Sequence, residues 1–172
     1  MNKIILLGYM GSGKSTIAKL LAEKTTIPFI DLDDRIESQE KLSIKTIFET
    51  KGEIYFRKIE HAILKCLMES DESFILSLGG GTPCYAGNHK FLNGNRILSV
   101  YLKASISELS ERLARDKSKR PAIASLRDDE LSEFIAKHLF ERSHFYNMAD
   151  YTVTVDGKSP LAIVCEIETL LF

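Results

Sequence analysis

No apolar run in this sequence approaches the ~20 residues that a membrane span needs; Ile4 to Leu7 is typical of the longest. No apolar segment is followed by a small-residue cleavage site, so a cytoplasmic protein with no membrane partner is expected. An excess of one charge is also missing. Lys and Arg number 23 against 24 Asp and Glu, a formal charge of −1, which removes the broad basic field of a nucleic-acid binder. Cysteine is scarce: Cys66, Cys84 and Cys165 are odd in number, far apart, and form neither a CxxC pair nor a Cys/His ligand spacing. They are expected to be reduced packing residues, and neither a disulfide framework nor a metal site built from protein ligands alone is expected. His61, His89, His138 and His144 are equally scattered and read as surface or satisfied polar residues. No internal repeat, low-complexity tract or linker interrupts the 172 residues, a length suited to a single cored domain over residues 1–172.

Five short apolar stretches rich in β-branched residues predict strands: Lys3 to Leu7, Pro28 to Leu32, Phe74 to Leu78, Ile97 to Leu102 and Tyr151 to Val155. Between them, apolar positions at three- and four-residue steps predict helices over Ser15 to Glu23, Ile54 to Met68, Ile106 to Arg115, Asp129 to Tyr146 and Pro160 to Leu171. Pro160 suits a first helical turn, with Ser159 before it as N-cap. Alternating strands and helices imply an α/β protein with a parallel sheet covered on both faces. Two stretches break the rhythm. About 40 residues, Asp33 to Ser73, separate the second and third strands, more than one crossover helix requires, so something is inserted there. The stretch from Arg112 to Arg127 carries six basic residues and one acidic one on a near-neutral chain. It reads either as a solvated face or as a basic lid over an anionic ligand.

Directly after the first predicted strand stands Gly8-Tyr9-Met10-Gly11-Ser12-Gly13-Lys14-Ser15-Thr16, which satisfies the phosphate-loop pattern GxxxxGK[ST] and leads into a helix. Glycines let the backbone wrap so that N–H groups point at phosphate oxygens, and the following helix offers its positive end to the same anion. Lys14, expected to face solvent on the loop, can bridge the β- and γ-phosphates, and the Ser15 hydroxyl can ligate Mg²⁺. No [NT]KxD element is present, which disfavours a guanine-specific switch, and the chain is too short for the extra domains of motor or transporter ATPases. A small ATP-dependent kinase or a nucleotide-gated binding module remains.

The second strand ends in Phe29-Ile30-Asp31-Leu32-Asp33-Asp34. Carboxyl ends of parallel strands open onto the ligand crevice, and a period of two puts Asp31 and Asp33 on one strand face. Two carboxylates there suit two tasks, one on the Mg²⁺ shell and one on an acceptor hydroxyl; helix N-capping near Asp34 is the structural alternative. After the third strand comes Ser77-Leu78-Gly79-Gly80-Gly81-Thr82-Pro83. Three successive glycines are costly in regular structure and read as a close approach of backbone to ligand, or as a sharp turn.

With these pieces together the whole chain resembles the shikimate kinases. That resemblance rests on six elements in order: Gly8 to Thr16, Asp31-Leu32-Asp33, Phe56-Arg57-Lys58-Ile59-Glu60, Gly79-Gly80-Gly81, Arg120-Pro121 and Glu141-Arg142. It implies a P-loop NTPase three-layer fold of the nucleoside-monophosphate-kinase type, with five parallel strands, an acceptor-binding insertion at about 33–61 and a lid at about 112–127. By the same resemblance, ATP phosphorylates shikimate with Mg²⁺ in aromatic amino-acid biosynthesis. Gly11, Ser12, Gly13, Lys14, Ser15 and Thr16 would hold the nucleotide, Ser15 and Asp31 the metal, the latter through water. Asp33 would contact shikimate hydroxyls, Arg57 and Arg142 its carboxylate, and Gly79, Gly80 and Gly81 would line the acceptor with backbone. Lys14, Asp33 and Arg120 would be catalytic. Adenine contacts would fall to Arg112, or Arg115, and to Lys158, and the enzyme would be a monomer. The chain departs from the family pattern at Ala122-Ile123, where two leucines are common, and at His144-Phe145-Tyr146, where Pro-Leu-Tyr is common. Both departures bear on packing more than on charge. Two arginines can make fork-like pairs with one small carboxylate, which lysine could not match. A nucleoside acceptor, unlike gluconate or shikimate, would not need them, and intact Lys14, Ser15, Asp31 and Asp33 argue against a module that only senses ATP.

Overall fold

The computed structural model describes residues 3–115, 117 and 123–171. Its five strands, β1 (Lys3–Leu7), β2 (Phe29–Asp31), β3 (Phe74–Ser77), β4 (Ile97–Lys103) and β5 (Tyr151–Thr154), form one parallel sheet in the order β2-β3-β1-β4-β5. Strand β1 lies in the centre, paired with β3 and β4, and Ile4 to Leu7 are buried without alternation. An interior parallel strand, covered on both faces, requires such a continuous apolar run. Among the described residues the α-helices are α1 (Lys14–Thr25), α2 (Leu32–Glu40), α3 (Ile44–Glu69), α4 (Ile106–Arg115), α5 (Asp128–Tyr146) and α6 (Pro160–Leu171). α1 packs on α6, α2 on α3, and α4 on α5. Among the described residues no helix is long and apolar enough to cross a membrane.

Most predicted elements are present within a residue or two, and Ser159 caps α6 by accepting from the Ala162 N–H at 3.3 Å. Three local readings are corrected. The first concerns β2, which stops at Asp31. Asp31 turns the chain, N-capping α2 by accepting from the Asp33 N–H at 3.0 Å. Asp33 therefore belongs to the first turn of a helix and shares no strand face with Asp31; capping wins because the carboxylate satisfies an otherwise orphaned helical N–H. The second is the extent of α3, which begins at Ile44, ten residues before the predicted start. Ser43 caps it, accepting from the Thr46 N–H at 3.1 Å. Gly52 interrupts it with φ 81 and ψ 169, a left-handed value that favours glycine and breaks the three- and four-residue periodicity on which the sequence reading relied. Residues 33–61 thus contain most of α2 and the first part of α3. The third concerns the cysteines: all three are free, but Cys66 and Cys165 are exposed rather than packed, and only Cys84 is half-buried.

Candidate active site

From β1 the chain runs to β2 on one side of the sheet, and after β3 it crosses past β1 to β4 on the other, so a crevice opens beyond the carboxyl ends of the strands, where open α/β sheets bind ligands. A cavity of about 560 Å³ occupies it, lined by the loop from Met10 to Thr16, by Asp31, Asp33, Gly79 and Gly80, and by Arg112, Arg115 and Lys158. Gly8, Gly11 and Gly13 adopt positive φ, which curls the loop. Gly13 caps α1 without a side chain, and no acidic residue stands in the first turn, so the N–H groups of that turn keep their anion-binding character. Lys14 is not the solvent-facing loop residue expected. It opens α1, is 9% exposed, and donates from Nζ to the Tyr9 carbonyl at 3.0 Å, which fixes its ammonium inside the crevice.

Beside it, Ser15 Oγ donates to Asp31 Oδ2 at 2.7 Å and lies 3.3 Å from Ser77 Oγ. This is an all-oxygen, hard donor set. It suits Mg²⁺ retained through one hydroxyl, water-bridged carboxylate and substrate phosphate, rather than a cage of protein ligands. Among the described residues, no cluster of three His, Cys, Asp or Glu side chains could hold a metal by itself.

Asp33 occupies the far end of the crevice, against the glycine turn: a Cβ on Gly79 would stand 3.1 Å from its Oδ1. Burial, with the nearby Asp31 and Glu60 carboxylates, pushes its pKa up to about 6 against the opposing pull of Lys14. Outside the lining of that cavity stand the two candidate carboxylate binders. Arg57 Nη1 donates to Glu60 Oε2 at 2.8 Å, and its guanidinium lies 3.9 Å from the Tyr85 ring centroid. A Cβ on Gly81 would approach Arg57 Nη2 to 3.0 Å. Arg142, on α5, stacks over Tyr9 at 5.6 Å. Both guanidiniums act on the Cys84 thiol, lowering its pKa against the burial that pushes it up to about 11.

Within the cavity lining, Arg112 reaches the Gly8 to Thr16 loop from α4, donating to the carbonyls of Gly11 at 3.3 Å and Ser12 at 3.4 Å while pairing with Glu108 at 2.7 Å. Arg115 pairs with Glu111, and Lys158 with Glu166 at 2.5 Å. Arg120 lies outside the described residues, as do residues 116, 118, 119, 121 and 122 of the stretch expected to form the lid.

Several side chains that organise this site were given no task in the sequence reading, although Glu60 stood in the Phe56 to Glu60 element. Glu60 is 1% exposed and fully used, since its second oxygen accepts from Thr82 Oγ1 at 2.7 Å. The signal for it was the three-residue spacing from Arg57, which puts both on one helical face. Ser77 could have been suspected from its position at a strand end. Tyr9, Tyr85 and Tyr146 gave no signal of that kind.

A family model described as shikimate kinase matches residues 10–171. A shikimate kinase of Flavobacterium psychrophilum is 52% identical over 172 residues, all of both chains. The structure of a shikimate kinase from Bacteroides thetaiotaomicron superposes with a TM-score of 0.90 at 35% identity, covering 99% of this chain and 98% of that one. A shikimate kinase from Acinetobacter baumannii, solved in complex with shikimate, gives 0.87 at 31% identity, with 99% and 93% covered.

Proposed function

The chain belongs to the shikimate kinase family, and from that membership we propose that it transfers the γ-phosphoryl group of ATP to the 3-hydroxyl of shikimate. The products are shikimate 3-phosphate and ADP, on the route to chorismate and the aromatic amino acids. The observation that carries the reading is that Arg57 lies against Gly81 and Arg142 over Tyr9, beside a phosphate-loop cavity that the Asp33 carboxylate lines. A small acceptor with a carboxylate at one end and hydroxyls at the other fits that order of groups.

Phosphoryl transfer asks the protein for alignment and charge stabilisation more than for covalent chemistry. The curled loop and the first turn of α1 hold the phosphates, with Thr16 beside them and Lys14 bridging toward the transferring group. Arg112, or Arg115, and Lys158 flank the adenine end, which the cavity lining supports. Mg²⁺, held at Ser15 and through water at Asp31, supplies neutralisation of phosphate charge when bound. Arg57 and Arg142 grip the acceptor carboxylate, and Gly79 to Gly81 approach it with backbone. Asp33 orients the attacking hydroxyl and takes its proton; a carboxylate with a pKa near 6 is ionised at neutral pH yet basic enough to do so. In this reading residues 33–61 serve as the acceptor-binding insertion and residues 112–127 as a lid. The lid excludes water that would otherwise consume ATP, and it brings the charge of Arg120 to the transferring group. We further propose a monomer acting in the cytoplasm on small molecules, without a nucleic-acid partner, in line with its near-neutral charge. A coupled ADP-release assay with shikimate, gluconate and nucleoside monophosphates in parallel tests the reading. Turnover with shikimate alone is expected, and turnover with either other acceptor but not shikimate would overturn it.

A further inference from the structure

Gly79 to Thr82 form a tight turn, closed by the Thr82 N–H donating to the Gly79 carbonyl at 3.1 Å. Its third residue, Gly81, has φ −91 and ψ −17, which is type I geometry. The central peptide, between Gly80 and Gly81, can rotate by about half a turn into type II, because that form needs only a positive φ at Gly81 and glycine accepts either sign. A trans peptide points its C=O and N–H in opposite directions. The rotation would therefore exchange the two groups on each side of the turn.

One contact resists that exchange. Tyr146, fully buried at the end of α5, donates from its hydroxyl to the Gly80 carbonyl at 2.5 Å. Its ring is held against Tyr101 of β4, with centroids 5.1 Å apart, so the donor is fixed in position. Gly80 is also pressed on the phosphate loop, where a Cβ would meet Met10 N at 3.3 Å. Arg142 stands four residues earlier on the same helix and acts on the same hydroxyl. Burial keeps the phenol protonated far above neutral pH, so it remains a donor throughout the working range.

The geometry points to Tyr146 as a positioning residue that locks the Gly80–Gly81 peptide in its type I orientation, so that the acceptor meets the Gly81 N–H and not the Gly80 carbonyl. This rests on the shikimate reading above for the identity of the acceptor, though not for the lock itself. The test is Tyr146→Phe, which keeps the ring and deletes the hydroxyl, alongside Tyr101→Phe, which removes a hydroxyl from the neighbouring buried ring and leaves both the ring packing and the Tyr146 hydroxyl in place. Leaving one buried carbonyl without its donor is expected to raise the shikimate Kd and KM about tenfold, equivalent to ~1.4 kcal/mol, with the ATP KM within twofold of the parent. The Gly81 amide should also show exchange broadening by NMR relaxation dispersion in the ligand-free Phe variant. A shikimate Kd within twofold of the parent, a parallel loss of ATP affinity, or the same shikimate loss in Tyr101→Phe would overturn the assignment. Should the parent protein prove not to phosphorylate shikimate, a sharp, unbroadened Gly81 amide in the ligand-free variant still refutes the lock by itself.

Discussion

Replacing Asp33 with asparagine should make the protein more stable and a far poorer enzyme at the same time. The native carboxyl has its pKa pushed to about 6 from an ordinary 3.8, first by burial and then by Asp31 and Glu60. Because the folded-state value lies above the unfolded one, the folded protein binds that proton more tightly. The group therefore destabilises nothing below about pH 4, and its ionisation costs increasingly as pH rises through about 6. A shift of about two pKa units corresponds to ~3 kcal/mol at most, and partial exposure of the side chain reduces this to roughly 1–2 kcal/mol. For a domain of this size that is a rise in Tm of about 3–6 °C for the asparagine variant at pH 8. Thermal melts of both proteins from pH 4 to pH 8 give the decisive measurement: the gap should open from near zero and level off above about pH 7. Asparagine cannot take the hydroxyl proton, so kcat should fall by about 10²–10⁴ while shikimate still binds. The parent's own turnover should drop as pH falls through about 6. A gap that stays constant across this range, or a variant that melts below the parent at pH 8, would refute the argument from burial and neighbouring charge.

Lys14→Met should reduce turnover by at least about 10² while the protein still melts cooperatively, because it removes a preorganised charge from the transferring phosphate; single-turnover measurements would check it. Arg57→Ala and Arg142→Ala should each weaken shikimate binding by ~2–5 kcal/mol and leave ATP affinity nearly unchanged, which calorimetric titration of each ligand would separate. Glu60→Gln should lower stability by about 1–3 kcal/mol in urea titration and raise the shikimate KM, since it weakens the buried anchor shared by Arg57 and Thr82.

How far the site could be read in the sequence depended on how local its signals were. The phosphate loop was legible because its chemistry is written in contiguous residues, and β1 because an interior parallel strand needs an unbroken apolar run. The burial of Lys14 was not legible: it follows from the Tyr9 carbonyl curling back over the loop, a backbone feature with no side-chain signature. Asp31 was read as a strand residue because a carboxylate at a strand end and one at an N-cap look alike until the following helix is known. Glu60 and Tyr146 act through partners 22 and 66 residues away, and no periodicity reports such pairings. The pairing of Arg57 with Arg142, by contrast, was expected from family resemblance alone; the structure sets one against Gly81 and the other over Tyr9.

The break at Gly52 has a mechanical consequence. An uninterrupted α3 of 26 residues would be a stiff rod about 39 Å long, and any displacement of its outer end would be levered onto the guanidinium of Arg57 five residues beyond the break. With the helical hydrogen-bond ladder cut at Gly52, the Ile44–Lys51 portion is an arm of about 12 Å whose bending is not transmitted as torque. The inner portion stays anchored where Glu60 joins Arg57 to Thr82. One glycine thus gives α3 a compliant joint between its outer arm and the buried ion pair of its inner portion.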